Sequence, residues 1–213
     1  MRKIKGNYSK TLETERLILR KYNKDDFRML FKNYVSDKNV PRYCTWKPCK
    51  TQEEADKLLE LWYKGYENPE KLMWMIVEKA SGQGIGIIRV THKWLEENKC
   101  EIGYSMGSKW WNKGYMTETV ITIIKFLIKE IGFYTIVADV SEDNIGSRRV
   151  LEKAGFTLYE KQDGTLYYKY TLKEKIIDYF IKYNIMTNQR RSQEIQIKIR
   201  ARVKNFNKTI EIS

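Results

Sequence analysis

Trp111-Asn112-Lys113-Gly114-Tyr115-Met116-Thr117-Glu118 and, further along, Asn144-Ile145-Gly146-Ser147-Arg148-Arg149-Val150-Leu151-Glu152-Lys153-Ala154-Gly155-Phe156 are the stretches on which this chain turns. The first opens an amphipathic helix. Met116, Val120, Ile123, Ile124, Leu127 and Ile131 recur at the three- to four-residue spacing of a helix with one buried face. Its N-terminus falls at the Asn-Lys-Gly turn, where free backbone N–H groups and the positive end of the helix dipole converge. A glycine there lets an anion approach the backbone closely. Lys113 adds a flexible positive charge. A lone turn of this kind is more often only a turn, and Asn144 and Gly155 can be taken as the N-cap and terminating glycine of the second helix. Those roles leave the recurrence unexplained: two such helix starts flank a single strand, residues 135–140, and that spacing points to one shared phosphate-bearing ligand.

The first stretch resembles the acyl-CoA loop of the GCN5-related N-acetyltransferase (GNAT) family, usually Gln/Arg-x-x-Gly-x-Gly/Ala. It is nearest to the Trp-Gly-Lys-Gly-Tyr-Ala-Thr-Glu form of the ribosomal-protein N-terminal acetyltransferases, the RimJ/RimL-like branch. Asn112 stands where a glycine is common and Met116 where a small residue is usual, which would tighten the pocket beside a pyrophosphate. The second stretch resembles the family's Asn-x-x-Ser-x-x-x-x-x-Lys-x-Gly-Phe helix and strand, whose asparagine and serine lie near the pantetheine arm; here they are Asn144 and Ser147. The resemblance covers roughly residues 12–172. It implies an α/β domain with a mixed, mainly antiparallel central sheet flanked by helices, acetyl-CoA as acetyl donor, an amine acceptor and no metal. The implied coenzyme site is Met106, Gly107, Trp111, Asn112, Lys113, Gly114, Tyr115, Met116, Thr117, Asn144 and Ser147. In the family the sheet splays beside the strand matching residues 100–106 and the acyl chain threads the opening; the sequence alone does not show a splay.

Acetyl transfer to an amine needs a positioned thioester, a neutral amine and a donor for the departing thiolate, and placement supplies much of the rate. A strand N–H can polarise the thioester carbonyl, and Met106 or its neighbours are the natural candidates because they lead into the phosphate loop. Amines are mostly protonated near pH 7, so a carboxylate, or a water bound to one, must take a proton. Glu101 is the best placed carboxylate, on the alternation face of Gly103 and Ser105; a surface ion pair is its plainer role. Many relatives carry a tyrosine four residues past the Ser147 position as the thiolate's acid, and here that position is Leu151. Ser147 is then the nearest hydroxyl, with hydrogen bonding to the pantetheine or thiolate the role best matched to so weak an acid. Glu118, in the first helical turn, complements the helix dipole or fixes the loop.

A chain of 213 residues, 42% hydrophobic, holds one full core and a small appendage. The formal charge of +13 favours acidic partners, a polyphosphorylated cofactor or nucleic acid, without choosing between them. Cys44, Cys49 and Cys100 make neither an even disulfide set nor a metal cluster with His92, the only histidine. Cys44 and Cys49 could form a redox pair, but two reduced thiols near a loop is the simpler account in the cytoplasm. One histidine also argues against a Ser-His-Asp hydrolase. His92, in the polar run 91–98, reads as a loop residue. No signal-peptide or membrane-spanning apolar run occurs, so a cytoplasmic protein without membrane contact is expected.

Further elements follow from pattern. Leu17–Arg20 is a strand, and Asn23 caps a helix bearing Phe27, Leu30, Phe31 and Tyr34. A second helix runs from Thr51 with Ala55, Leu58, Leu59 and Trp62 along one face. Strands are expected over 72–77, 85–90 and 100–106, and a last hairpin joins 156–161 to 165–172 across Gln162-Asp163-Gly164. Gly82-x-Gly84-x-Gly86 imitates a nucleotide loop but lacks the following helix, and reads as a hairpin turn. Tyr43, Trp46, Trp62, Tyr63 and Tyr66 line either an acceptor cleft or a core. The acceptor itself stays open: a protein N-terminus, a polyamine, an aminoglycoside-like antibiotic or a small amine.

The domain is expected to end at residue 172. Residues 173–213 carry ten Lys or Arg against four Asp or Glu, with a helical opening and an alternating run over 195–203. That extension could add to a sheet edge, make a homodimer, contact nucleic acid or the ribosome, or be a basic tail. A non-catalytic ribosome- or RNA-associated module is the alternative to the enzyme.

Overall fold

Short apolar runs pair into one sheet of eight strands among the described residues: β1 (Leu12–Glu13), β2 (Leu17–Arg20), β3 (Met73–Glu78), β4 (Gln83–Trp94), β5 (Lys99–Met106), β6 (Thr135–Ser141), β7 (Thr157–Gln162) and β8 (Thr165–Thr171). The structure, a computed structural model, describes residues 9–172 apart from Thr45 and Pro69. The basic stretch 173–213, with the helix and strand expected in it, lies outside the described residues. The strand order is β1-β2-β3-β4-β5-β6-β8-β7, antiparallel throughout except for β5 and β6, which run parallel.

Polar side chains cap three of the helical starts, at Asn23, Thr51 and Asn144, whereas α3 starts from Gly114 without one. Asn23 forms a reciprocal capping box with Asp26 ahead of α1 (Phe27–Leu30), which continues as a π-helical turn, Phe31–Val35. Thr51 accepts from the Glu54 N–H to start α2 (Gln52–Lys64). α3 (Tyr115–Phe126) and α4 (Ile145–Lys153) are the helices of the two motifs. α4 ends on a Schellman turn, with Gly155 N–H donating to Glu152 O and Phe156 N–H to Leu151 O, both at 3.0 Å.

Alternation sorts the strand residues into two layers. Met73, Met75 and Ile87 join Phe27, Leu30, Ala55 and Leu59 in a core beneath α1 and α2. Trp74 points the other way and meets Phe126 of α3 edge to face, ring centroids 5.5 Å apart. On β5, Tyr104 therefore belongs to the α3/α4 face, and Glu101, Gly103 and Ser105 to the α1/α2 face.

One expectation is corrected. His92 is a strand residue of β4, opposite Glu101, with its ring 4.3 Å from that of Trp94. The β4/β5 register shifts between Val90 and His92, and the residue inserted there breaks the period of two that would have marked the strand.

Candidate active site

β5 and β6 pair only at Lys99↔Thr135, Cys100↔Ile136 and Glu101↔Val137. β5 then runs on to Met106 and β6 to Ser141 without pairing, so the sheet is open between them. The backbone polarity along this opening follows from one bond. Gly107 N–H donates to Ile85 O at 2.8 Å, so the odd-numbered amides of β5 face β4, and those of Tyr104 and Met106 face the opening. The Met106 carbonyl accepts from the Trp111 indole N–H at 2.7 Å. Its N–H is left as the donor directed into the gap.

The chain leaves β5 through a connection, residues 107–114, that leads into α3. Gly107 abuts the π-helical turn so closely that an added Cβ would lie 2.1 Å from Asn33 O. Ser108 N–H donates to Asp37 at 2.7 Å, and burial, which alone would raise the Asp37 pKa, is outweighed by hydrogen bonds from Ser108 and Asn39 that hold it low. Asn112 adopts φ +60° and Gly114 φ +78°. Both are left-handed, and this explains Asn112: after glycine, asparagine adopts that conformation most readily. Residues 111–114 are exposed, and α3 begins beyond them, with Glu118 N–H donating to Gly114 O at 3.0 Å as its first turn closes. The N–H groups of Tyr115, Met116 and Thr117 are those a helix start leaves without an internal partner. Met116 is itself buried, so its backbone, not its side chain, is what it can present.

Side chains from distant parts of the sequence hold this loop. Arg16 donates through Nη1 to Lys113 O at 2.9 Å and through Nε to Glu118 at 2.7 Å, and its guanidinium lies 4.5 Å from the Tyr115 ring centroid. Glu118 also accepts from Thr14 Oγ1 and from Arg16 N–H. Burial would raise its pKa, and these bonds together bring it below the ordinary range, so Glu118 fastens the loop as a carboxylate. Tyr115 donates its hydroxyl to Glu78 at 2.7 Å, and Glu78 accepts as well from Ser81 and Trp110. Trp111, Tyr115 and Glu118 are thus engaged in building the loop.

The second helix start faces the opening from the same layer. Asn144 Oδ1 accepts from Ser147 N–H at 3.1 Å as the N-cap of α4. Ser147 Oγ lies 2.9 Å from the Tyr104 hydroxyl, which also contacts Ser147 O at 3.3 Å. Burial pushes the Tyr104 phenol well above its usual pKa, and the bond to Ser147 only partly offsets this, so it stays a hydrogen donor at any working pH. Leu151, one turn on, is fully buried. Asn144, Ser147 and the Lys113–Gly114 turn therefore share the α3/α4 side.

Glu101 is not with them. It lies on the opposite face of β5, and the open seam joins the two sides. Its carboxyl is raised, first by burial and then by Asp139 of β6, through both a shared hydrogen bond and like charge, with Thr91 and His92 acting in the other direction. Further along that face the Tyr34 hydroxyl and Ser105 Oγ are 2.5 Å apart. Tyr34, Trp46 and Trp62 pack ring on ring over 5.5–6.5 Å, with Tyr34 in the core and the tryptophans partly buried against it. Tyr43 reaches across, its hydroxyl 3.1 Å from Asp143 O just ahead of α4. Arg16, Tyr104 and Asp139 are the residues that motif reading missed, since each matters through a partner far away in sequence. Among the described residues no cluster of His, Cys, Asp and Glu could hold a metal ion, and no helix is long and apolar enough to cross a membrane.

The chain can be set beside known proteins. A family model described as an acetyltransferase (GNAT) domain matches residues 16–157. The uncharacterised N-acetyltransferase YnaD of Bacillus subtilis (strain 168) is 31% identical over 144 residues, which is 68% of this chain and 81% of YnaD. The crystal structure of a GNAT-family acetyltransferase from Bacillus anthracis superposes with a TM-score of 0.64 at 24% identity, covering 76% of this chain and 98% of that one. RimL, a ribosomal L7/L12 alpha-N-protein acetyltransferase solved in complex with coenzyme A, superposes with a TM-score of 0.65 at 17% identity, covering 76% and 98%.

Proposed function

The chain belongs to the GNAT acetyltransferase family and is an N-acetyltransferase, and from that premise we propose that it moves the acetyl group of acetyl-CoA to a primary amine by direct attack within a ternary complex. The observation that carries this is the parting of β5 from β6, with both helix starts on one side and Glu101 on the other. A thioester threaded through the gap would be reached from opposite sides by the groups that must act on its two ends.

The residues divide the work as follows. The first-turn N–H groups of α3, with Lys113, Asn112 and Gly114, hold the pyrophosphate; Asn144 and Ser147 flank the pantetheine. Met106 N–H donates a hydrogen bond to the thioester oxygen and stabilises the negative charge that develops there when the amine nitrogen attacks the carbonyl carbon. The C–S bond then breaks, and Ser147 Oγ, backed by the Tyr104 hydroxyl, donates a hydrogen bond to the departing sulfur. Glu101 takes the proton that the amine gives up, directly or through one water. Residues 1–172 form the acetyltransferase domain on this proposal, and the family match lies inside them. The three cysteines are free thiols, in keeping with a cytoplasmic protein.

A thiol-release assay with acetyl-CoA and a panel of amines tests the reaction. Thiol should appear in step with acetylated amine identified by mass. Thiol release without any acetylated amine, or no detectable binding of acetyl-CoA, would overturn the proposal.

A further inference from the structure

Arg89 is a partly buried charge on the α1/α2 face that the mechanism leaves unused. It sits on β4 between Met73 of β3 and Gly103 of β5, and so projects into the α1/α2 layer beside Ser105 and Tyr34. Gly103, directly opposite, has no side chain to cover it. Arg89 is partly buried, and among the described residues no carboxylate or hydrogen-bond acceptor pairs with its guanidinium. Arg20 shows the contrast: Asp26 holds its guanidinium with two hydrogen bonds of 2.8 Å.

Lys71, just ahead of β3, is a second partly buried cation with no acidic partner among the described residues. Its pKa is lowered by burial, then by Arg89 and by Lys93, although Lys93 has its own partner in Glu70. Tyr22, Tyr34 and Cys44 also lie within the field of Arg89. Two unpaired cations in a partly desolvated layer cost stability through lost hydration and mutual repulsion, so the arrangement makes physical sense when an anion completes it. Glu101 stands two residues along β5 from Gly103, a diagonal neighbour of Arg89 at about 7–8 Å. The acceptor side thus has an acidic end, Glu101 with Asp139, and a basic end, Arg89 with Lys71.

We propose that Arg89, supported by Lys71, receives a carboxylate of the acceptor while its amine lies toward Glu101, so that the acceptor class is amino acids and not polyamines or aminoglycosides. This rests on the acetyl-transfer reading above. Polycationic amines would bring positive charge against two cations that already repel, whereas a zwitterion matches both ends.

The full-length protein, saturated with acetyl-CoA, is offered amino acids and their carboxamides, which keep the amine and lose the anion, alongside a polyamine. Amino acids should exceed their carboxamides in kcat/KM by about ten- to a hundredfold, as expected of a charge-assisted hydrogen bond. Arg89→Gln should collapse that ratio toward one, mainly through KM, and Arg89→Lys should restore part of it. Because the arginine is unpaired, Arg89→Gln should melt at or above wild type and bind acetyl-CoA unchanged. Calorimetric titration of the same acid and amide pairs reads the preference without turnover, so failure of the chemistry and failure of the carboxylate site are told apart. Equal binding of acid and amide, better use of the polyamine, or an Arg89→Gln variant that keeps the preference would each overturn the proposal.

Discussion

On the proposed function, the two faces of β5 solve different recognition problems by different means. On the α3/α4 face the donors are mainly backbone N–H groups at two helix starts, and the side chains around them are tied to one another: Arg16 to Lys113 O and Glu118, Tyr115 to Glu78, Tyr104 to Ser147. On the α1/α2 face the groups that could meet a ligand are side chains from separate segments: Arg89 and Lys71 have no acidic partner among the described residues, and Glu101 and Asp139 crowd like charge together. A pyrophosphate presents the same oxygens whatever the acceptor, so a rigid backbone cradle suits it. Selectivity among amines needs side chains, and side chains held ready for an absent partner are costly without it.

The heaviest blow to this contrast would fall at Gly114. Its φ of +78° is left-handed, and an added Cβ would stand 3.4 Å from the Arg16 guanidinium that clamps the loop. A β-branched residue there carries a backbone penalty of about 1–2 kcal/mol and re-aims the amides of the first turn. Gly114→Val should lose acetyl-CoA affinity by about a hundredfold or more while circular dichroism stays native, since an anion site depends on where those amides point. Undiminished affinity by calorimetry in the folded variant would break the claim that backbone geometry makes this face.

Ser147 comes next, and it sharpens the contrast from within the proposed coenzyme side. If its hydroxyl stabilises the leaving sulfur, Ser147→Ala should lower turnover by about ten- to a thousandfold and spare acetyl-CoA binding. Tyr104→Phe should produce a smaller loss, because it removes the 2.9 Å partner that orients Ser147. If Tyr104 acts through Ser147, the double variant is no slower than Ser147→Ala alone, whereas independent effects would multiply. A purely capping serine predicts wild-type turnover and a stability loss of at most about 1 kcal/mol, because Asn144 remains the cap. Steady-state rates beside thermal melts separate these outcomes.

The same contrast explains what could be read from sequence. The order of elements, the two motif helices, the caps at Asn23, Thr51 and Asn144 and the hairpin at Gly164 were legible because each is encoded within a few consecutive residues. The opening between β5 and β6 was not: it is the absence of pairing beyond Glu101↔Val137, and nothing local in either strand signals it. Arg16 and Tyr104 escaped notice because their roles depend on contacts 97–102 and 43 residues away. Asp139 became relevant only once β6 was known to lie parallel to β5. His92 was misplaced for a nearer reason, the bulge at the end of Val90 that disrupts alternation. Of the aromatics left between cleft and core, Trp46, Trp62, Tyr63 and Tyr66 pack partly buried against the core, and Tyr43 is exposed.

The smallest expected effect tests the acceptor face through Asp139. Glu101 must be ionised to take a proton, so kcat/KM should fall as pH drops through its pKa, which burial and then Asp139 hold above the ordinary carboxylate range. Asp139→Asn removes the like charge, makes the Glu101 carboxylate easier to form, and should shift this acid limb to lower pH while leaving the plateau rate largely in place. Stability should respond in the matching sense. A carboxyl whose pKa is raised on folding contributes stability that is fully present below its unfolded pKa and is lost as pH rises through the folded value. Relieving that rise in Asp139→Asn should therefore raise the melting temperature at neutral pH and change it less under acid conditions where Glu101 is protonated in both variants. The two readouts fail separately: a shifted melt with an unmoved rate limb would leave Glu101 a strained but uninvolved carboxylate, and the acceptor's proton would have to leave by water alone.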